Sequence, residues 1–260
     1  MSLARGAFIQ LNVIHALVLR ETRTRFGEHQ LGYLWALIEP LLWIGSFWGL
    51  YTVGNRSAPH NLDVMGFLAT GVLTFEIFDS NVGRIGDSIN GNRPLLFYPP
   101  VQPLDLVIAR ASLETATLTA VFFVIMGGQS LLRGDLTPLD SLLQVFLGIS
   151  LAALLGASLG LVLCMLGVLS NVVERLRGPV MRPLFWVSAL FYTLDDVPTD
   201  VRNLMLYNPV VHVVEIVRDG WFPQYTAKHT DPLYVMWFIL GFGLLGLLLE
   251  RVVRRKIELS

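Results

Sequence analysis

Lysine is nearly absent from this chain, cysteine occurs once, and charge of either sign is sparse; each shortage removes a class of function. A phosphate-binding loop of the form G-x-x-x-x-G-K-[ST] needs a glycine before its lysine. The two lysines are Lys228, preceded by Ala227, and Lys256, preceded by Arg255, so neither completes that loop. If ATP drives this protein, another chain binds it. The lone Cys164 excludes an intrachain disulfide and a thiolate metal cluster. No D-x-D metal-nucleotide motif occurs, and Asp195-Asp196 falls in a segment assigned below to the outer side, away from cytoplasmic sugar donors. Charged residues make up 15% of the chain, against about 25% in a typical soluble domain. The net charge of −1 gives no bias toward nucleic acid. The first apolar stretch, residues 13–19, runs directly into Arg20-Glu21-Thr22-Arg23 with no small-residue cleavage site, so no signal peptide is expected.

What remains is apolar. Hydrophobic residues form 53% of the chain and the mean hydropathy is +0.59. Crossing a bilayer core takes roughly 20 mostly apolar residues, and six stretches meet or approach that length: about 32–53, 64–83, 106–127, 142–168, 179–194 and 233–249. The expected fold is all-α, a polytopic membrane protein with six transmembrane helices. Basic residues orient such spans, because Lys and Arg collect on the cytoplasmic side. The N-terminus, residues 84–110, residues 169–182 and the C-terminus hold fourteen of the 19 basic residues; Arg56, Arg133, Arg202, Arg218 and Lys228 lie opposite. Both termini are therefore expected on the cytoplasmic side of the membrane.

Two segments depart from a spanning pattern. Residues 1–30 form a cytoplasmic unit whose apolar part is too short to cross and ends in Arg20, Arg23 and Arg25. Glu21 and Arg25, four apart, favour helix continuation, which suits an amphipathic helix lying in the interface with arginines at the headgroups. The transmembrane domain then occupies 31–260. Its last outer loop, 195–231, holds Pro198, Pro209 and Pro223 around short apolar pieces, the pattern of re-entrant helices whose backbone is covered by protein.

The remaining motifs are read against bland alternatives. Gly156-Ala157-Ser158-Leu159-Gly160 matches G-x-S-x-G, but an intramembrane serine protease using Ser158 needs a histidine base within reach. All five histidines fall outside the confident spans, so small residues at four-residue spacing are read as a helix-packing seam. His212 and Glu215 form H-x-x-E with Asp219 nearby. A polar stripe on a re-entrant helix explains them as well as zinc does; no metal site is expected. Arg110 and Glu114 are read as a mutual i,i+4 pair. Glu39 precedes Pro40, which frees a carbonyl and favours a kink, and Glu76 and Asp79 have no basic neighbour in their own helix. Carboxylates inside a membrane mark function or cross-helix bonding. Aromatics crowd the first span and the fifth, where they serve as interface belts, core, or faces on which sugars stack. Tyr33, Trp35, Glu39 and Trp186 are the channel candidates.

Several blocks occur in order along nearly the whole chain: Leu19-Arg20-Glu21-Thr22-Arg23-Thr24-Arg25-Phe26-Gly27, Leu31-Gly32-Tyr33-Leu34-Trp35-Ala36, Glu39-Pro40, Pro103 with Asp105, Ile108-Ala109-Arg110-Ala111-Ser112-Leu113-Glu114, Arg182-Pro183-Leu184, and Asn208-Pro209-Val210-Val211-His212-Val213-Val214-Glu215. Together they resemble the permease subunit of ABC-2 type polysaccharide exporters, most closely the group 2 capsule type. The resemblance implies a permease with no cofactor or catalytic residue of its own, paired as a homodimer with two copies of a separate ATPase that holds ATP and Mg. It implies export of a lipid-linked acidic polysaccharide, with periplasmic and outer-membrane partners beyond the inner membrane. O-antigen and teichoic acid exporters are the near alternatives. By the same resemblance, the loop 84–103 carries a coupling helix with Asp87, Asn90, Asn92 and Arg93 toward the ATPase. Arg20, Arg23 and Arg25 lie beside the entrance for the substrate's phosphate, and Asn208, Pro209, His212 and Glu215 belong to outer re-entrant helices at the exit. The Glu76 and Asp79 pair does not match the family pattern.

Overall fold

A computed structural model describes residues 3–26, 31–98, 100–134, 139–170 and 172–258, and among these every regular element is helical. Nine α-helices follow one another: α1 Leu3–Phe26, α2 Leu31–Val53, α3 Val64–Gly86, α4 Pro103–Arg133, α5 Leu142–Leu169, α6 Val172–Trp186, α7 Thr199–Met205, α8 Pro209–Trp221 and α9 Pro232–Glu258. Gly27 of the N-terminal block, and the rest of 27–30, lie outside the described residues. Among the described residues, four helices are long and apolar enough to cross a membrane: α2 over Leu34–Val53, α4, α5, and α9 over Pro232–Arg254.

Helix α3 is the hub. It packs against α5, α4, α2 and α8, and it is buried along most of its length. Its polar residues bond within the helix: the Thr70 hydroxyl donates to Gly66 O and Phe67 O, Thr74 to Thr70 O and Asn81 to Ile77 O. Asp63 caps its N-terminus, accepting from Gly66 N at 2.7 Å, and the same carboxylate is held by Gln129 and Arg133 of α4. The cap thus ties α3 to α4 at one end of the bundle.

The α3–α5 contact explains the G-x-S-x-G stretch. A Cβ on Gly160 would lie 2.9 Å from Ile85 Cβ and 3.0 Å from Asn81 O, and one on Gly156 would collide with Phe78 O. Only glycine at these two positions lets the backbones approach. Ser158, between them, is buried and donates to Leu155 O in its own helix at 2.9 Å.

The expected span at 179–194 takes another form. Helix α6 begins earlier, at Val172, tolerates Pro179 and Pro183, and stops at Trp186. Residues 187–193 continue as irregular chain with Ala189 in a left-handed conformation, φ 58°. The carbonyls released there are taken by an arginine from α8, described below.

Candidate functional site: a charged cleft and a buried joint

Helix α1 lies against α4 and is fixed to it by crossed ion pairs. Arg110 Nε donates to Glu21 at 2.8 Å, and Arg25 pairs with Glu114. Each i,i+4 pair expected within a helix is therefore exchanged for a partner across the α1–α4 contact. Glu114 is 2% exposed, and a carboxylate that deep gains more from a facing guanidinium than from a neighbour along its own helix surface. Gln10 extends the contact by donating to Asp105. Arg110 also donates to Arg84 O at 2.8 Å, reaching α3.

Around these pairs are two adjoining cavities. The first, of about 370 Å³, is lined by Glu21, Arg25, Arg84, Arg110 and Glu114 among others. The second, of about 270 Å³, shares Arg25, Arg84 and Glu114 and adds Glu39, Glu76, Asp79 and Arg177. Carboxylates from α2 and α3, which had no partners within their own helices, thus meet arginines from α1, α3 and α6.

Beyond the second cavity is a wall of rings. Phe47 of α2 stands 4.4 Å from Phe191 and 6.1 Å from Trp186, centroid to centroid, and Trp43 stacks on Phe47 at 5.9 Å. Trp35, Glu39, Trp43, Phe47 and Tyr51 follow one another at four-residue intervals, a slowly winding stripe along α2. Tyr51 closes it by donating to Phe191 O at 2.6 Å.

At the other end, α8 is buried on nearly every side and packs against α5, α3 and α9. Its 13 residues reach only about 20 Å, short of a bilayer core. Arg218, 0% exposed, donates to Ala189 O at 2.6 Å, Leu190 O at 2.7 Å and Tyr192 O at 3.1 Å, and lies 4.1 Å over the Phe67 ring. Glu215 pairs with it at 3.1 Å, and Tyr225 donates to the other Glu215 oxygen. Burial first, then the Glu215 charge, pushes the Tyr225 phenol well above its ordinary value, so it remains a donor. His212 is engaged at both nitrogens: Nδ1 accepts from Asp231 N at 3.0 Å, and Nε2 is 2.9 Å from Leu206 O. That arrangement fixes the neutral tautomer with its proton on Nε2. The H-x-x-E pair therefore serves two separate networks. Asn208 caps α8 through Val210 N and Pro209 occupies its first turn.

The segment after α3 is a short irregular helix, Asn90–Phe97. Asp87 and Arg93 are exposed, and Asn90 is half-buried and accepts from Arg93 at 3.2 Å. Asn92 is buried, donates to Ser88 O, and accepts from Arg20 at 2.8 Å. Arg20, read from the sequence as a headgroup residue, thus joins α1 to this loop. Asn90 and Arg93 face Glu174 and Arg175 of α6 across an open groove.

The family profile of the ABC-2 type transporter matches residues 12–222. The chain belongs to that family. As an ABC-2 type transporter it is a permease component rather than an enzyme. The polysialic acid transport protein KpsM of Escherichia coli is 34% identical over 251 residues, covering 96% of each chain. The capsule polysaccharide export inner-membrane protein CtrC of Neisseria meningitidis is 29% identical over 249 residues, 95% of this chain and 92% of CtrC. The capsule polysaccharide export inner-membrane protein BexB of Haemophilus influenzae is 26% identical over 253 residues, 96% of this chain and 94% of BexB.

Of the residues singled out from this transporter's sequence, the structure brings Arg25 and Glu39 to the second cavity and leaves Arg23 exposed. Trp35 is 62% exposed and Trp186 57%; the Tyr33 side chain lies outside the described residues. Sequence reasoning missed Arg84, Arg177, Arg218 and Tyr225. Arg218 had a signal, an arginine three residues after Glu215 inside an apolar run, where a charge needs a partner. Arg84 and Arg177 had none, since their roles depend on which helices meet.

Proposed function

We propose that this permease is the membrane-spanning half of an ATP-driven exporter that carries a lipid-linked capsular polysaccharide across the bacterial inner membrane. Similarity to KpsM across 96% of both chains carries the reading, and the charged cleft supports it, since an acidic glycolipid needs polar contacts at membrane depth. In this reading there are six spans, with α3 and α6 joining the four long apolar helices. Both termini face the cytoplasm, and α7 and α8 are re-entrant from the outer side. Two copies pair with two ATPase subunits, which bind ATP and Mg.

The working cycle follows from how the parts are joined. The ATPase docks on the segment around Asp87, Asn90 and Arg93. Nucleotide binding draws the two coupling segments together, and differential affinity of the ATPase for the two permease conformations drives the change. Because Arg20 bonds Asn92 and Arg110 bonds Arg84 O, displacement of the segment is passed to α1, α3 and α4. The cleft opens toward the aromatic wall, and the polymer moves outward past α8. Periplasmic and outer-membrane proteins receive it.

Alanine at Asn90 and Arg93 together tests the docking. Loss of polymer export and of substrate-stimulated ATP turnover, with normal membrane insertion, supports the assignment; unchanged coupling removes those residues from it.

A further inference from the structure

A smaller cavity, of about 130 Å³, shares no lining residue with the charged cleft and none with the wall of rings. It lies where the start of α3, the end of α4 and the chain leaving α8 meet, and its lining includes Asp63, Gln129, Arg133, Trp221, Phe222 and Gln224. Counted along α3 from Asp63 to Arg84, it stands roughly 30 Å from the cleft. Gly66 keeps the lining together: a Cβ there would lie 3.1 Å from Phe222 Cζ and 3.2 Å from both Asp63 Oδ2 and Gln129 Oε1, each tighter than ordinary contact. Trp221 is set against α4, edge-on to Phe122 with centroids 5.8 Å apart.

Donors and acceptors in this lining do not balance. Asp63 already accepts from Gly66 N, Gln129 and Arg133, so its carboxylate is served. Trp221 is 5% exposed, and its Nε1 has no acceptor among the described residues. Arg133 is exposed, and Asp63 alone engages its guanidinium among the described residues, which leaves N–H groups to spare. A lining with spare donors and an occupied carboxylate suits an acceptor and disfavours a bare cation. Size and surface narrow the choice. A cavity of about 150 Å³ takes one benzene molecule, so a single six-membered ring fits here with its substituents toward the opening. Trp and Phe favour a ring with polarised C–H groups, which meet the negative face of an aromatic system. A pyranose bearing a carboxylate has that surface, hydroxyl oxygens that accept, and an anion onto which a guanidinium forks. We propose that this cavity is a binding site for one acidic pyranose residue. In it, Arg133 holds the carboxylate, Trp221 Nε1 donates to a sugar oxygen, and the ring packs on Trp221 and Phe222. The proposal rests on the exporter reading and goes beyond it: in that reading α3 begins on the outer side, so the occupant is a sugar of the emerged polymer or a free acidic sugar.

The test titrates the complete permease–ATPase complex in nanodiscs, with binding followed by saturation-transfer NMR of the probe. Glucuronate supplies ring and carboxylate, glucose the ring alone, and acetate the carboxylate alone. Glucuronate is expected to bind about tenfold more tightly than either of the others. Arg133→Gln brings glucuronate down to the level of glucose and leaves glucose unchanged. Trp221→Phe, which keeps an aromatic ring and removes the donor, weakens glucuronate and glucose alike and leaves acetate unchanged. A hexasaccharide carrying glucuronate separates the sources: tighter binding than the monosaccharide, lost in the same variants, assigns the site to polymer, and equal binding assigns it to the free sugar. Acetate binding as tightly as glucuronate reduces the effect to charge and overturns the site, as does glucuronate binding that is absent or survives both variants. Thermal midpoints and ligand-free ATP turnover confirm that each variant is folded. ATP-dependent polymer uptake by the unmodified complex is measured separately, so a failed sugar site leaves the exporter reading standing, and absent uptake sinks that reading.

Discussion

Replacing Arg218 by methionine keeps most of the side-chain volume and removes every donor. Three carbonyls, those of Ala189, Leu190 and Tyr192, then lose the group that holds the irregular chain after α6, and Glu215 loses its counter-charge. Removing one partner of a buried ion pair costs about 3–5 kcal/mol. Tyr225 still donates to Glu215, which keeps the cost inside that range despite the orphaned carbonyls. For a chain of this size each kcal/mol moves the unfolding midpoint roughly 2–4 °C, so the expected drop is about 6–20 °C. Tryptophan fluorescence of the detergent-solubilised protein reads it during a thermal ramp. Combining Arg218→Met with Glu215→Gln removes the stranded charge, so the double variant is more stable than Arg218→Met alone by about 1–3 kcal/mol. A drop under about 2 °C in the single variant, or a double variant no better than the single, would refute the claim that this joint holds α8 to the chain after α6.

Other expectations follow from the same geometry. Ser158→Ala leaves export intact and stability within about 1 kcal/mol, since only a bond within its own helix turn is lost; abolished export would revive a catalytic serine. Gly156→Ala and Gly160→Ala each push α3 from α5 and destabilise by about 1–3 kcal/mol, read as lower midpoints with normal insertion. Arg25→Glu and Glu114→Arg singly lower export, and the double swap restores part of it, as a double-mutant cycle on transport rates would show; no recovery would mean that the α1–α4 pairing is not what matters. His212→Ala frees Leu206 O and Asp231 N and costs about 1–3 kcal/mol, whereas a gating role without a structural one predicts altered export at unchanged midpoint.

How much of this was readable in advance depended on the kind of pattern. Long apolar runs set α2, α4, α5 and α9, because spanning length is a property of one segment. That α1 is a helix of its own, separate from the long apolar runs, follows from the arginines that end its short apolar stretch, and the early stop of α8 from the prolines around it. The pairing of Glu21 with Arg110 and Arg25 with Glu114 was hidden: i,i+4 spacing predicts the same residues with the wrong partners, since it cannot see a second helix. The end of α6 was hidden for a related reason. Phe191 and Tyr192 are apolar enough to continue a span, and it takes the Arg218 guanidinium, 26 to 29 residues later in the chain, together with the Tyr51 hydroxyl on Phe191 O, to make leaving the helix favourable. Glu76 and Asp79 looked unaccompanied because the arginines that line the same cavity come from other helices and from further along their own.

The central claim is that this chain supplies the path and another supplies the energy. The direct measurement reconstitutes the purified permease into proteoliposomes, with and without its ATPase, and follows ATP hydrolysis and uptake of lipid-linked polymer together. The account predicts that the permease alone does neither, and that adding the ATPase brings polymer uptake that stops when ATP is withheld. ATP hydrolysis by the permease alone, or polymer movement without the second subunit, would contradict it.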